Sequence, residues 1–190
     1  MLIFRFRFTL VFLLIMLAAN LFAAGWGQDL SSQALRDWGV GHNSLLSGQI
    51  FRLITATFLS HDVGMLMRQF VFAAVVIGYT EWVRGSTQTA SLFFGLDIVG
   101  TVLLLACVSL AQGSGLIDLT EMNDVGMSIG GFGLIGVAIS TWRRKWLLLL
   151  TLLLAITVKL LIAPHLLADS GHVLALLLGF MVGGCSALRK

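Results

Sequence analysis

Long runs of apolar residues alternate along the chain with short polar connections. A membrane-spanning helix needs about 17–25 mostly apolar residues, and six runs approach or reach that length. They cover residues 8–24, 63–82, 88–110, 126–141, 146–162 and 170–188. The fourth and fifth runs are short, which is typical of helices that begin below the membrane surface beside a cavity. The pattern therefore predicts an all-α integral membrane protein with six transmembrane helices.

The connection at residues 25–62 is the longest segment outside these runs, and it keeps many apolar side chains. We expect it to lie in the membrane interface as short amphipathic pieces, with Trp26 and Trp38 at the depth of the lipid headgroups. The sequence contains no internal repeat, low-complexity tract or linker. Residues 1–190 are therefore predicted to form a single membrane domain.

Composition supports the same class of protein. Hydrophobic residues make up 58% of the chain and charged residues only 11%, whereas a soluble domain carries about 25% charged residues. The net charge of +3 comes from Lys and Arg at the ends of the apolar runs, with no basic stripe interleaved with aromatic residues. This distribution argues against nucleic-acid binding.

The charges also predict an orientation, because cytoplasmic connections are enriched in Lys and Arg. On one side of a six-span arrangement lie Arg5, Arg7, Arg84, Arg143, Arg144, Lys145, Arg189 and Lys190. The opposite connections carry Asp29, Asp37, Asp62, Asp118, Glu121, Asp124 and Asp169, with Arg36 and Arg52 as their cations. Both termini are therefore predicted to be cytoplasmic. Cys107 and Cys185 would then lie on opposite sides of the membrane, which argues against a disulfide between them.

The first apolar run has two interpretations. Arg5, Arg7 and the run that follows also resemble a secretory signal peptide, which would be removed. A retained helix explains the basic C-terminus better, because six spans place both termini on the same side. We therefore favour retention, with five spans as the alternative.

Two polar side chains, Ser128 and His172, lie near the start of predicted spans that both run inwards from the outer side. At 1.5 Å rise per residue they have similar shallow depths. Small residues follow on both helices, at Gly126, Gly130 and Gly133 and at Ala175, Gly179 and Gly183. Small faces let helix backbones approach closely, so the hydroxyl and the imidazole can form a dyad of nucleophile and general base.

Ser128, His172 and the glycine-rich faces also have simpler interpretations than a catalytic dyad. A serine in a membrane helix often bonds the backbone carbonyl one turn earlier, and glycine-rich faces often serve packing alone. His172 could equally pair with Asp169 or contact lipid headgroups.

From Gln49 to Gly184 the sequence resembles the rhomboid family of intramembrane serine proteases. Rhomboids carry the nucleophile in a Gly-x-Ser-Gly motif that opens the fourth helix, followed by an aromatic residue and a glycine at one-turn intervals. The matching residues here are Gly126, Ser128, Phe132 and Gly136. The family's Ala-His motif, with glycines three and seven residues later, is matched by His172 and Gly179. Upstream, the residues that resemble family positions are Phe51, Arg52, Gly78, Glu81, Gly85 and Ser86.

Several positions depart from the family pattern. Family proteases have a His and an Asn in the second helix that donate to the oxyanion, and this chain has Met65 and Gln69 there. Met offers no donor, whereas the Gln amide does, and loss of one oxyanion donor costs about 3 kcal/mol. Ile129 replaces the glycine after the nucleophile, so its branched side chain is expected to crowd the site. Ala175 replaces the first glycine after the His.

The resemblance implies a rhomboid-like bundle of six transmembrane helices around a water-filled cavity, and an endopeptidase that cleaves transmembrane substrates. Ser128 would be the nucleophile, His172 the general base, and the Ser128 N–H with the Gln69 amide would hold the oxyanion. The alternative is a catalytically inactive pseudoprotease that binds membrane helices as clients. A small transporter or channel is a third interpretation, but the spans lack the repeat symmetry expected of one.

Five further polar residues carry structural expectations. Arg68 and Lys159 lie near the outer ends of spans, where long cationic side chains extend to the headgroups. Asp97 lies deeper and is expected to make a structural polar contact, with Arg68 as one candidate partner. Asp124 is expected to cap the fourth span. His61 precedes the position of the family's oxyanion His and is expected to be an interface residue.

The expected partners follow from this interpretation. The protein would contact the lipid bilayer and transmembrane proteins, as substrates or clients, and the sequence specifies no oligomeric state. The four His and two Cys show no metal-ligand spacing, and no phosphate-cradling loop or haem motif occurs, so no cofactor is expected. The short chain without appended domains favours a bacterial inner membrane.

Overall fold

A computed structural model of the chain describes residues 5–113 and 123–187. The structure is all-α and 80% helical. The helices are α1 (Arg7–Ala23), α2 (Ser32–Trp38), α3 (His42–Leu46), α4 (Arg52–Thr55), α5 (Val63–Arg84), α6 (Ser86–Gly113), α7 (Ser128–Ser140), α8 (Lys145–Ile162) and α9 (Leu166–Ala187). A 3-10 turn, Ala56–Phe58, follows α4, and two short strands, β1 (Val40–Gly41) and β2 (Asn123–Asp124), form an antiparallel pair.

Within the described ranges, four helices are long and apolar enough to cross a membrane, namely α5, α6, α8 and α9. The helices α1 and α7 are apolar but shorter. This finding confirms the expected all-α class, with four helices whose length and composition suit a membrane protein. The arrangement of six spans in one bundle stays a prediction.

Each of the six predicted runs coincides with a helix, and the largest boundary shift is at α9. This helix begins at Leu166, four residues before the predicted start. The only proline of the chain, Pro164, separates α8 from α9, and helices usually end before a proline because its ring restricts the preceding residue. Gly85 separates α5 from α6, and its φ of +82° favours glycine.

The predicted interfacial segment forms three short helices and the 3-10 turn. Ser31 caps α2 by accepting a hydrogen bond from the N–H of Ala34. The Arg52 guanidinium donates to the backbone carbonyls of Arg36 and Gly39, which ties α4 to the end of α2. These contacts give the segment a defined fold although it has few long elements.

The chain divides into two compact units, each described separately below. The first comprises Met1–Ala90 and Leu105–Met127, and the second comprises Ser91–Leu104 and Ser128–Lys190. The single-domain organisation expected from the sequence stays a prediction.

In the first unit, polar side chains fix both ends of α1. The buried Glu81 carboxylate accepts hydrogen bonds from the N–H groups of Phe8 and Thr9, each at 2.8 Å, and from the Thr9 hydroxyl. These N–H groups belong to the first turn, where a helix has no internal acceptors. At the other end, the Asn20 amide donates to the carbonyl of Phe58 and accepts from the N–H of Ser60. The first helix is thereby bonded to α5 and to the interfacial segment.

In the second unit, α7 and α9 pack at unusually short range. A Cβ added at Gly136 would overlap the Leu176 carbonyl oxygen, and one at Gly179 would overlap that of Gly133. Glycine is therefore required at both positions. The predicted small face of α9 meets α7 at Gly179, but on α7 the residue that faces α9 is Gly136, because Cβ atoms at Gly130 and Gly133 would meet Phe93 and Leu96 of α6. Ile156 of α8 joins the apolar cluster around Leu176.

Candidate functional site

Ser128 is the first residue of α7 and is half-buried. The chain enters this helix through Gly126, whose φ of +130° is one that side chains disfavour. The N–H of Gly126 donates to the Ala56 carbonyl at 2.8 Å. A fixed glycine turn therefore precedes the candidate nucleophile.

His172 lies on α9, and its ring stacks on Phe132 of α7. The ring centroids are 4.3 Å apart and the ring planes differ by 18°. Phe132 follows Ser128 by four residues, and residues at this spacing share one face of a helix, with Cβ atoms about 5–6 Å apart. The imidazole is thus held over the face of α7 that begins with Ser128.

Phe132 links the two predicted site residues, because it stacks on the His172 ring and follows Ser128 by four residues on α7. Hydrogen bonds between nucleophile and base are often long or poorly aligned without substrate and shorten when it binds. The direct contact between Ser128 and His172 and the catalytic roles of both residues stay predictions.

Ile129 lies between glycines of two other helices. A Cβ built at Gly100 of α6 would be 2.7 Å from the Ile129 Cγ2, and one at Gly171 of α9 would be 3.4 Å from its Cδ1. The branched side chain therefore fills space that two glycines leave open. This packing accommodates the residue that was expected to crowd the site.

Asp97 of α6 is buried and makes the structural polar contact that the sequence predicts. Its carboxylate accepts a hydrogen bond from the N–H of Gly130 at 2.8 Å. That N–H is in the first turn of α7, where it has no acceptor within the helix. Asp97 therefore stabilises the start of the helix that carries Ser128.

Lys159 does not simply extend to the headgroups, as expected, but forms an ion pair with Asp169. Its ammonium lies 2.8 and 2.9 Å from the two carboxylate oxygens. Asp169 is 2% exposed, and its Oδ1 is 4.0 Å from the His172 Nδ1. The 4.0 Å distance is consistent with the sequence-based interpretation that His172 pairs with Asp169.

In the first unit, Gln69 and Met65 take different roles. The Gln69 side chain accepts a hydrogen bond from the Ser60 hydroxyl at 3.0 Å, and its amide nitrogen lies against Gly126. The Met65 sulfur accepts a bond from the N–H of His61 at 3.4 Å. The Gln69 amide keeps a donor next to the glycine turn, whereas the Met65 side chain binds the preceding loop. The oxyanion role of Gln69 stays a prediction.

Asp124 was expected to cap α7, and that expectation is wrong. The helix begins at Ser128, so Asp124 lies too far upstream to be its cap. Its carboxylate instead accepts from the N–H of Val125 at 2.8 Å and binds the His61 Nε2 at 3.1 Å. The hydrogen bond to Asp124 raises the pKa of His61, burial opposes this, and the negative charges of Asp124 and Asp62 add to the increase.

One contact that sequence reasoning missed is a second Ser–His pair, in the first unit. The Ser109 Oγ on α6 lies 2.7 Å from the His42 Nδ1 on α3 and also donates to the Leu105 carbonyl. No sequence motif contains the Ser109–His42 pair, because the two residues are far apart in sequence and belong to different helices. A donor already committed to the helix backbone is typical of a structural serine, so this pair ties α3 to α6.

The described residues contain no group of three or more His, Cys, Asp or Glu side chains that could hold a metal ion. The chain matches no protein-family model, and no curated protein sequence matches it either.

Proposed function

We propose that this protein is an intramembrane serine endopeptidase of rhomboid type, which cleaves transmembrane substrates within a six-helix bundle. The observation that supports the proposal most strongly is the placement of His172. Its ring lies flat on Phe132, one helical turn from Ser128, on two helices that meet through glycines. Such a contact fixes the orientation of the imidazole, which a general base requires.

The proposed chemistry is an acyl transfer in two steps. Ser128 attacks the scissile carbonyl while His172 takes its proton, and His172 then returns the proton to the leaving amine. The Ser128 N–H and the Gln69 amide are the proposed donors to the oxyanion. Water then hydrolyses the acyl-enzyme. Both termini would be cytoplasmic, and the reaction would take place near the outer face of a bacterial inner membrane.

Labelling of the purified protein in detergent with a fluorophosphonate probe tests this proposal. We expect the native chain to be labelled, and both Ser128→Ala and His172→Ala to lose the label. Ser109→Ala is the matched control, because Ser109 also contacts a histidine and should leave labelling unchanged. A native chain that elutes as a folded species and takes no label would contradict the proposal.

A second candidate function is a pseudoprotease that binds membrane helices without cutting them. The observation that favours it is Met65, whose sulfur binds the His61 N–H where the resemblance implies an oxyanion donor. Labelling that appears only in the Met65→His variant would support this alternative. Labelling of the native chain that Met65→His does not increase would argue against it.

A further inference from the structure

Three side chains of the second unit form a row that ends at the candidate base. The Lys159 ammonium of α8 binds both carboxylate oxygens of Asp169 at 2.8 and 2.9 Å. The Asp169 Oδ1 then lies 4.0 Å from the His172 Nδ1, one turn along α9. All three residues are at the α8–α9 end of the unit.

The Asp169 carboxylate is fixed in place by its surroundings. Its side chain is 2% exposed, and its Oδ2 also accepts a bond from the N–H of His165 at 3.2 Å. The N–H of Asp169 in turn donates to the His165 carbonyl at 2.9 Å. These reciprocal bonds close the first turn of α9 after Pro164. The carboxylate therefore has a defined position relative to the imidazole.

A carboxylate near one ring nitrogen favours the tautomer of a neutral imidazole with the proton on that nitrogen, because it attracts the N–H and repels the lone pair. Asp169 Oδ1 lies 4.0 Å from the His172 Nδ1, beyond hydrogen-bond distance, so its negative charge acts through space and favours a proton on Nδ1 over one on Nε2. A general base needs the lone pair that this leaves on Nε2 to receive a proton. We propose that Asp169, held by Lys159, is a positioning residue that sets the His172 tautomer.

This inference rests on the proposed function for its catalytic meaning, but the tautomer is measurable without activity. The experiment is 15N NMR of the detergent-solubilised full chain with labelled histidine, at about pH 9, where histidines are neutral. His172→Ala identifies the His172 signals. The test variant is Asp169→Asn, which keeps the size of the side chain and one acceptor oxygen but removes the negative charge. The control is Asp124→Asn, which removes a carboxylate whose partner is His61.

We expect the native chain to carry the His172 proton on Nδ1, and Asp169→Asn to shift most of the population to the Nε2-protonated form. Asp124→Asn should leave the His172 signals unchanged. A native chain with the proton on Nε2 would overturn the inference even if the Asn variant does not fold. An unchanged tautomer in a folded Asp169→Asn protein would overturn it as well, because a purely structural carboxylate does not control the tautomer.

Probe labelling separates this inference from the proposed function. If the native chain is labelled, Asp169→Asn should lower the maximal labelling rate on the order of tenfold and leave the apparent affinity for the probe unchanged. An unchanged maximal rate would contradict the positioning role. If the native chain takes no label but the tautomer responds as expected, the peptidase proposal fails and the assignment of Asp169 stands.

Discussion

At the scale of single residues, the His61–Asp124 pair makes stability depend on pH. The pKa of His61 is raised in the folded protein, so the pair stabilises the fold fully below the unfolded pKa of about 6.5 and loses this effect as the pH rises through the folded value. Both side chains are about 40% exposed, so the effect is small.

The measurement is the melting temperature in detergent at pH 6 and pH 9. We expect the native chain to lose about 1–3 °C more than Asp124→Asn over this interval. An equal or smaller loss in the native chain would contradict the assignment.

For single residues, the sequence predicts some contacts of the structure and misses others. Ser128 and His172 were predicted because they carry reactive groups at the start of apolar helices and fall within a family-like motif, and their roles stay predictions. The Lys159–Asp169 pair was missed because it depends on how the chain turns at Pro164, which no periodicity encodes. Asp124 was misjudged because the helix begins at Ser128 and a loop histidine provides the partner.

At the scale of elements, the close contact of α7 with α9 depends on glycine. A Cβ at Gly179 would overlap the backbone of Gly133, whereas one at Gly184 meets no atom within 4 Å. We expect Gly179→Ala to lower the free energy of unfolding by about 1–3 kcal/mol, because backbone cannot yield to the added methyl group. Gly184→Ala on the same helix is the control and should leave stability unchanged or slightly higher.

Thermal unfolding followed by circular dichroism compares the two variants. A Gly179→Ala protein as stable as Gly184→Ala would show that α7 and α9 do not approach as closely as described. If Gly179→Ala folds, it should also label more slowly with the fluorophosphonate probe, because a wider helix separation moves His172 away from the face of Ser128.

The helices themselves were predictable from sequence, since each long apolar run coincides with one. The small face of α9 also predicted its contact with α7, which Gly179 and Gly183 make. The face predicted on α7 was wrong, because a Cβ at Gly130 would meet Phe93 of α6 and Gly136 is the residue that faces α9. Hydrophobic patterning does not encode the polar bonds at helix ends, such as those that Glu81 makes to the first turn of α1, and it did not predict them. The predicted start of α9 was four residues late, because the helix begins at Leu166 and not at Ser170.

At the scale of the whole molecule, the proposed topology places the two cysteines on opposite sides of the membrane. Both are free and exposed in the structure. Cys107 lies 21 residues after the start of α6, about 30 Å along the helix, which is the thickness of the hydrocarbon core. Cys185 lies near the C-terminal end of α9, on the predicted cytoplasmic side.

A membrane-impermeant maleimide tests this topology in intact cells and in inverted membrane vesicles. We expect Cys107 to be labelled from the outside and Cys185 only in inverted vesicles, with Cys107→Ser and Cys185→Ser to assign the signals. Labelling of both from the same side would contradict the six-span arrangement with cytoplasmic termini.

The most direct test of the central claim is to locate the fluorophosphonate adduct by peptide mass spectrometry of the labelled native chain. The account predicts an adduct on Ser128, absent from His172→Ala and unchanged in Ser109→Ala. An adduct on Ser109 or another serine, or a folded chain with no adduct, would contradict it.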